Sequence, residues 1–119
     1  MSHIVTVKCQ MRDPIAIAAA CHRLGLAAPV EGKAQLFSGE ERGLIVQFPG
    51  WNYPAVIDLA SGEAKFDDYG GKWGDRVHLE RFLQMYAVER TKLEARRKGH
   101  AVTEQTLHDG SIRVQIVTA

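Results

Sequence analysis

Very little in this chain marks a compartment or a chemistry. Only two of its 119 residues are cysteine. Cys9 and Cys21 form no Cys-x-x-Cys pair, so neither a redox dithiol nor a zinc knuckle is encoded. In a reducing cytosol both are expected as free buried thiols. No apolar run reaches the roughly 20 residues that a membrane helix needs. The opening Met1-Ser2-His3-Ile4-Val5 lacks the basic-then-apolar pattern of a secretory signal, so a cytoplasmic protein is expected. Charge is in short supply too: 15 Lys and Arg against 14 Asp and Glu leave a formal +1. No global field gathers nucleic acid or an anionic membrane, and any such contact has to come from a local patch. There is no internal repeat and no low-complexity segment.

Signatures of known chemistries are missing as well. None of His3, His22, His78, His100 and His108 lies three or four residues from a Cys or another His, the usual mark of a zinc site. Neither Gly-x-Ser-x-Gly nor Gly-x-x-x-x-Gly-Lys-Ser/Thr is present. Cys9 and Cys21 fall on faces expected to be buried, whereas a reactive thiolate needs exposure and a nearby positive charge. His22 adjoins Cys21, but helix neighbours point about 100° apart. No catalytic residue, metal site or cofactor is assigned.

What is present is a well-punctuated single domain of residues 1–119, long enough for a core without staples. His3 to Met11 alternates, with Val5, Val7, Cys9 and Met11 on one face, which predicts a strand. Asp13 caps a helix that opens on Pro14 and stops at Gly25. Ala34 to Ser38 reads as a short strand, residues 39–43 as a charged turn, and Leu44 to Phe48 as a central apolar strand. Ala55–Leu59 and Ala64–Asp67 form a hairpin around Ser61-Gly62, pairing Asp58 with Lys65 and Ile57 with Phe66. A second helix capped by Asp75 runs to about Lys98, with Leu79, Phe82, Leu83, Tyr86 and Leu93 as its apolar stripe. At about 35 Å it crosses a domain whose radius of gyration should be roughly 14 Å. Ala101–Leu107 and Ile112–Val117 close the chain as a hairpin on Asp109-Gly110, with Ile112, Val114 and Ile116 facing the core. Strands in hairpins argue for an α+β fold: a mostly antiparallel sheet of six to seven strands with two helices on one face.

Several segments resemble those of a known family. They are Arg12-Asp13-Pro14, Leu36-Phe37-Ser38-Gly39, Pro49-Gly50-Trp51, Asp68-Tyr69-Gly70-Gly71-Lys72-Trp73-Gly74-Asp75 and Arg96-Arg97-Lys98-Gly99-His100. Over essentially its full length the chain resembles a family of hypothetical proteins of algal plastids, cyanobacteria and other bacteria, a domain of unknown function. The resemblance implies no catalytic residues. It does imply an accessory role beside an AAA-type ATPase, in the cytoplasm or, for a plastid-encoded member, the stroma.

Three groups of residues could carry function. Tyr69 to Asp75 feeds a helix N-terminus, so Gly70, Gly71 and Lys72 form a candidate anion site, although Asp75 opposes it. Among the loop aromatics, Trp51 and Tyr53 are the expected partner contacts, with Trp51 partly exposed and Trp73 tucked over the core. Asp67 and Asp68 read as surface carboxylates on opposite faces. Arg90, Lys92, Arg96, Arg97, Lys98 and His100 gather at the end of the long helix, where cations complement the dipole and could meet phosphate. The leading expectation is a non-enzymatic adaptor using Trp51, Tyr53, Lys72, Arg96, Arg97 and Lys98. The alternatives are a nucleic-acid binder on the basic helix end and a small enzyme built on the Gly-rich loop with Asp67 or Asp68. A free sheet face or the C-terminal hairpin edge could also pair two copies.

Overall fold

The computed structural model describes residues 4–117. The sequence expectation that the first strand begins at His3 lies outside them. Elements follow in the order β1 (Val5–Lys8), α1 (Pro14–Arg23), β2 (Val30–Gln35), β3 (Glu40–Val46), β4 (Ala55–Asp58), β5 (Glu63–Phe66), a 3₁₀ turn (Tyr69–Gly71), α2 (Val77–Arg97), β6 (Ala101–Thr106) and β7 (Ile112–Val117). The class is α+β. Every strand pairing is antiparallel, and the seven strands divide into a five-stranded sheet, β1-β5-β4-β3-β2, and the separate ladder β6-β7. Among the described residues no helix is long and apolar enough to cross a membrane.

Both helices cover one face of the larger sheet. Ala16, Ile17, Ala20 and Cys21 of α1 meet Leu79, Phe82 and Tyr86 of α2 over Val46, Ala55, Ile57, Ala64 and Phe66. The helix starts are set locally. Asp13 Oδ1 accepts from the N–H of Ile15 and Ala16 at 3.0 and 3.3 Å. Asp75 Oδ1 accepts from the Val77 N–H at 3.0 Å, so it caps α2 from two residues before the first helical position. Tyr86 locks the helix pair to the sheet: its hydroxyl accepts from the Asp13 N–H at 3.2 Å and donates to the Gln10 carbonyl at 3.4 Å.

Three sequence expectations need correction. Glu40 to Gly43 is strand, not turn, and the turn sits at residues 36–39, where the Leu36 N–H reaches the Gly39 carbonyl at 2.8 Å. The charges are tolerated because they have cross-strand partners: Glu41 lies 3.4 Å from Lys65, and Glu40 3.8 Å from Lys33. β2 correspondingly begins at Val30. The β4–β5 register differs by two residues: Ile57 faces Ala64 and Asp58 faces Glu63. The connecting loop spans residues 59–62 and is closed by the Gly62 N–H on the Asp58 carbonyl at 2.7 Å. A shift of two keeps each side chain on its face, so the apolar side survives the error. The last hairpin turns through His108, Asp109 and Gly110, with Leu107 and Ser111 hydrogen-bonded at 2.8 Å and Gly110 at φ 84°. That is the three-residue loop with a left-handed third position, not the two-residue form.

The molecule is longer than a sphere of its size, at 53 × 32 × 22 Å with a Cα radius of gyration of 15.2 Å. The β6-β7 ladder packs against α2 rather than joining the larger sheet. Ile112 and Val114 are half-buried there, whereas Ile116 is 43% exposed and not a core residue.

Candidate interaction surfaces

The two tryptophans exchange the places expected of them. Trp51 is buried, only 8% exposed. The reversal at Pro49-Gly50 turns its ring inward against Phe48 and Phe66, at centroid distances of 4.9 and 5.5 Å. Its indole N–H donates to the Asp75 carbonyl at 2.9 Å, and Gly74 presses on the ring face. Trp51 is therefore a core residue joining the β3–β4 loop to the start of α2, and not an exposed contact.

Trp73 lies instead at the centre of a half-buried aromatic cluster. Tyr69 stacks on it at 4.8 Å with planes 21° apart. Phe37 approaches at 5.0 Å and Tyr53 at 5.5 Å. Phe37 is 58% exposed. Lys72 Nζ sits 5.0 Å from the Tyr69 ring centre, within cation–π range. The rings come from three separate turns: 36–39, 51–54 and 69–74.

Backbone geometry fixes that third turn. Tyr69, Gly70 and Gly71 have φ values of 48°, 63° and 96°. For tyrosine this left-handed geometry carries steric strain, and non-glycine residues holding it concentrate at binding and switch sites. The N–H groups of Gly71 and Trp73 bond the Asp68 carbonyl at 3.0 and 2.9 Å, and the Lys72 N–H bonds the Tyr69 carbonyl at 3.2 Å. Those donors serve the loop itself.

Asp67 and Asp68 are not surface carboxylates: each is only 1% exposed. β5 ends at Phe66, so strand alternation no longer applies to them. Asp68 accepts from Arg76 at 2.7 and 3.4 Å. Asp67 Oδ2 accepts from the Ser38 hydroxyl at 3.2 Å, and among the described residues no donor reaches its Oδ1. The pair thus underpins the aromatic cluster, joining the turn that carries Phe37 to the loop that carries Tyr69. No group of three or more His, Cys, Asp or Glu among the described residues could hold a metal ion.

The basic cluster lies at the other end of α2, about 30 Å along the helix from Lys72 and Tyr53. Part of it is neutralised. Arg97 reaches Asp13 and Glu94, both at 3.4 Å, and Lys92 reaches Glu89 and Glu104 at 3.7 and 3.2 Å. Arg90, Arg96 and Lys98 are exposed and have no ion pair among the described residues.

Away from the aromatic cluster, sequence reading missed two features. One is an ion cluster in which Arg23 bonds both Glu89 and Glu104, fastening β6 to both helices. Arg23 and Lys92 hold the Glu104 carboxyl down at about 2, below its ordinary 4.5. Because the folded value is depressed, this contribution is complete above pH 4.5 and lost as pH falls towards 2. With the partners partly solvated it is worth about 1 kcal/mol. Glu104→Gln should thus cost that much at pH 7 in urea unfolding, and its gap from the parent should close by pH 2. The other missed feature is a groove of about 730 Å³ between the C-terminal half of α2, Ile116 of β7 and the Cys9-Gln10 segment. Its helix side runs through Leu83, Ala87, Thr91 and Glu94 at i+4 or i+3 spacing, the one pattern from which it could have been read.

Comparisons with protein-family models, with curated proteins and with solved structures give no match. The site geometry alone bears on function.

Proposed function

We propose that the chain is a small non-enzymatic accessory protein that docks a protein partner on the surface around Trp73. The observation that carries this reading is the convergence of Phe37, Tyr53, Tyr69 and Trp73 from three turns, with Lys72 beside them. Rigid aromatic anchors such as Trp and Tyr are the residues on which interface energy concentrates. The ion pair between buried Asp68 and half-exposed Arg76 preorganises the loop that presents them. The contact set becomes Phe37, Tyr53, Tyr69, Lys72 and Trp73, with Trp51 as internal support. The family resemblance names an AAA-type ATPase as the partner to try first, in the cytoplasm or plastid stroma.

A second reading, nucleic-acid binding on the basic helix end, keeps Arg90, Arg96 and Lys98 as candidate phosphate contacts because they lack ion pairs among the described residues. The pairing of Lys92 and Arg97 counts against it. Capture of tagged protein from its native lysate, with and without nuclease, separates the two. The adaptor reading expects a protein partner retained near equal amount after nuclease. It also expects retention to fall at least roughly 30-fold, about 2 kcal/mol, in the doubly exposed variant Phe37→Ser/Lys72→Glu. Retention unchanged by that variant refutes it, and loss of all material on nuclease treatment moves the assignment to the basic helix end.

A further inference from the structure

We infer that the groove along the C-terminal half of α2 is a binding site for a small single-chain amphiphile with an anionic head, of the medium-chain carboxylate type. The site is separate from the aromatic cluster and does not depend on the docking reading. Its volume of about 730 Å³ falls within the range of small-molecule sites.

Charge defines the head position. Of the groove-lining cations, Arg90 and Lys98 have no ion pair among the described residues, and His100 lies beside them. Glu94 is the one lining carboxylate, and Arg97 already engages it at 3.4 Å from outside the groove. A surplus of unpaired positive charge therefore stands along a groove that also holds apolar Leu83, Ala87 and Ile116, and an anion is what complements it.

Polarity along the groove defines the tail position and the class of occupant. Leu83, Tyr86 and Ala87 come first along α2, and the cations follow from Arg90 onward. The apolar stretch from Leu83 to Arg90 spans about 10 Å of helix. An amphipathic peptide helix divides its polarity across its width, so it would need apolar and charged positions side by side along the trough. In this groove every charged lining residue lies from Arg90 onward and none lies around Leu83, Tyr86 and Ala87, so its charge is confined to one end, as a fatty carboxylate's is. Cys9 lines the groove beside Gln10, whose carbonyl accepts from the Tyr86 hydroxyl, and is half-buried, whereas Cys21 is fully buried in the core. A thiol reagent on the native protein therefore reports on the groove.

The test is calorimetric titration of the full chain with dodecanoate below its micelle concentration, with dodecyltrimethylammonium as the opposite-charge control. The inference expects saturable one-to-one binding of the carboxylate and at least roughly 10-fold weaker binding of the cation. Charge reversal in Arg90→Glu/Lys98→Glu should weaken dodecanoate at least roughly 10-fold, and Ala87→Trp, at an exposed position, should block it by filling the trough. Near-UV circular dichroism shows that each variant is folded. Bound dodecanoate should slow alkylation of Cys9. Absence of saturable binding, equal binding of both amphiphiles, or affinity unmoved by both variants overturns the inference. So does a parent chain that is dimeric by light scattering and becomes monomeric in Ala87→Trp, because a second copy then fills the groove.

Discussion

Gly74→Ala should destabilise the fold by about 1–3 kcal/mol, the range for forcing atoms into a packed core. A methyl group at this position would lie 2.6–2.7 Å from three atoms of the Trp51 ring, far inside van der Waals contact. The ring cannot retreat, because Phe48 and Phe66 back it and its N–H is held by the Asp75 carbonyl. Trp51→Ala should be worse, at about 3–5 kcal/mol, since it empties the centre of the aromatic core. The informative variant is the double one. Gly74→Ala in a Trp51→Ala background should cost almost nothing further, because the clash partner is gone. Urea unfolding of the four chains measures this coupling. If the two losses simply add, Gly74 and Trp51 are not in the contact described.

Arg76→Gln should cost about 2 kcal/mol, within the range for hydrogen bonds to a charged group. Arg76 is itself half-exposed, but the carboxylate it serves is not: Asp68 stays 1% exposed with its charge uncompensated once the guanidinium leaves. Asp68→Asn removes the charge from the buried side, so the Arg76→Gln/Asp68→Asn double variant should be more stable than Arg76→Gln alone. The Asp68 carbonyl also holds the loop that carries Tyr69 and Trp73. Arg76→Gln should therefore alter the near-UV signal of the aromatic cluster as well as the unfolding midpoint. A double variant no better than the single one refutes the role assigned to the ion pair.

The parts of the fold legible in the sequence are those set by neighbours in the chain. Asp13-Pro14 starts a helix through its own amides, the stripe Leu79-Phe82-Tyr86 follows the helical period, and Gly110 reverses the last hairpin. The α+β class followed from these. Loop lengths at 59–62 and 108–110 were misread locally, whereas the misreadings that bear on the site depend on distant partners. Glu40 to Gly43 is strand because Lys33 and Lys65 meet its carboxylates. Asp68 is buried because Arg76 arrives from the start of α2. The exchanged roles of Trp51 and Trp73 have the same origin. Both stand in glycine-rich loops, and only the bare face of Gly74 decides which ring is drawn inward. Lys72 and Tyr53 were found as candidates, while Phe37 was missed because its turn was placed three residues too late. The groove was invisible because one wall is β7 and another the Cys9-Gln10 segment, which are more than 100 residues apart in the chain.

The β6-β7 strands share no hydrogen bond with the five-stranded sheet. Two ladders without a common rung open independently, each with its own free energy. An isolated two-stranded hairpin is marginal in water, so this one persists by leaning on α2 and by the clasp of Arg23 and Lys92 on Glu104. Its amides will exchange with solvent through local detachment, long before the molecule unfolds as a whole. Amides of β3, β4 and β5 should exchange only with global unfolding, which native-state hydrogen exchange measures. The hairpin should therefore detach about Gly99 ahead of the rest, and whatever lies against its inner side should be reached on the hairpin's timescale.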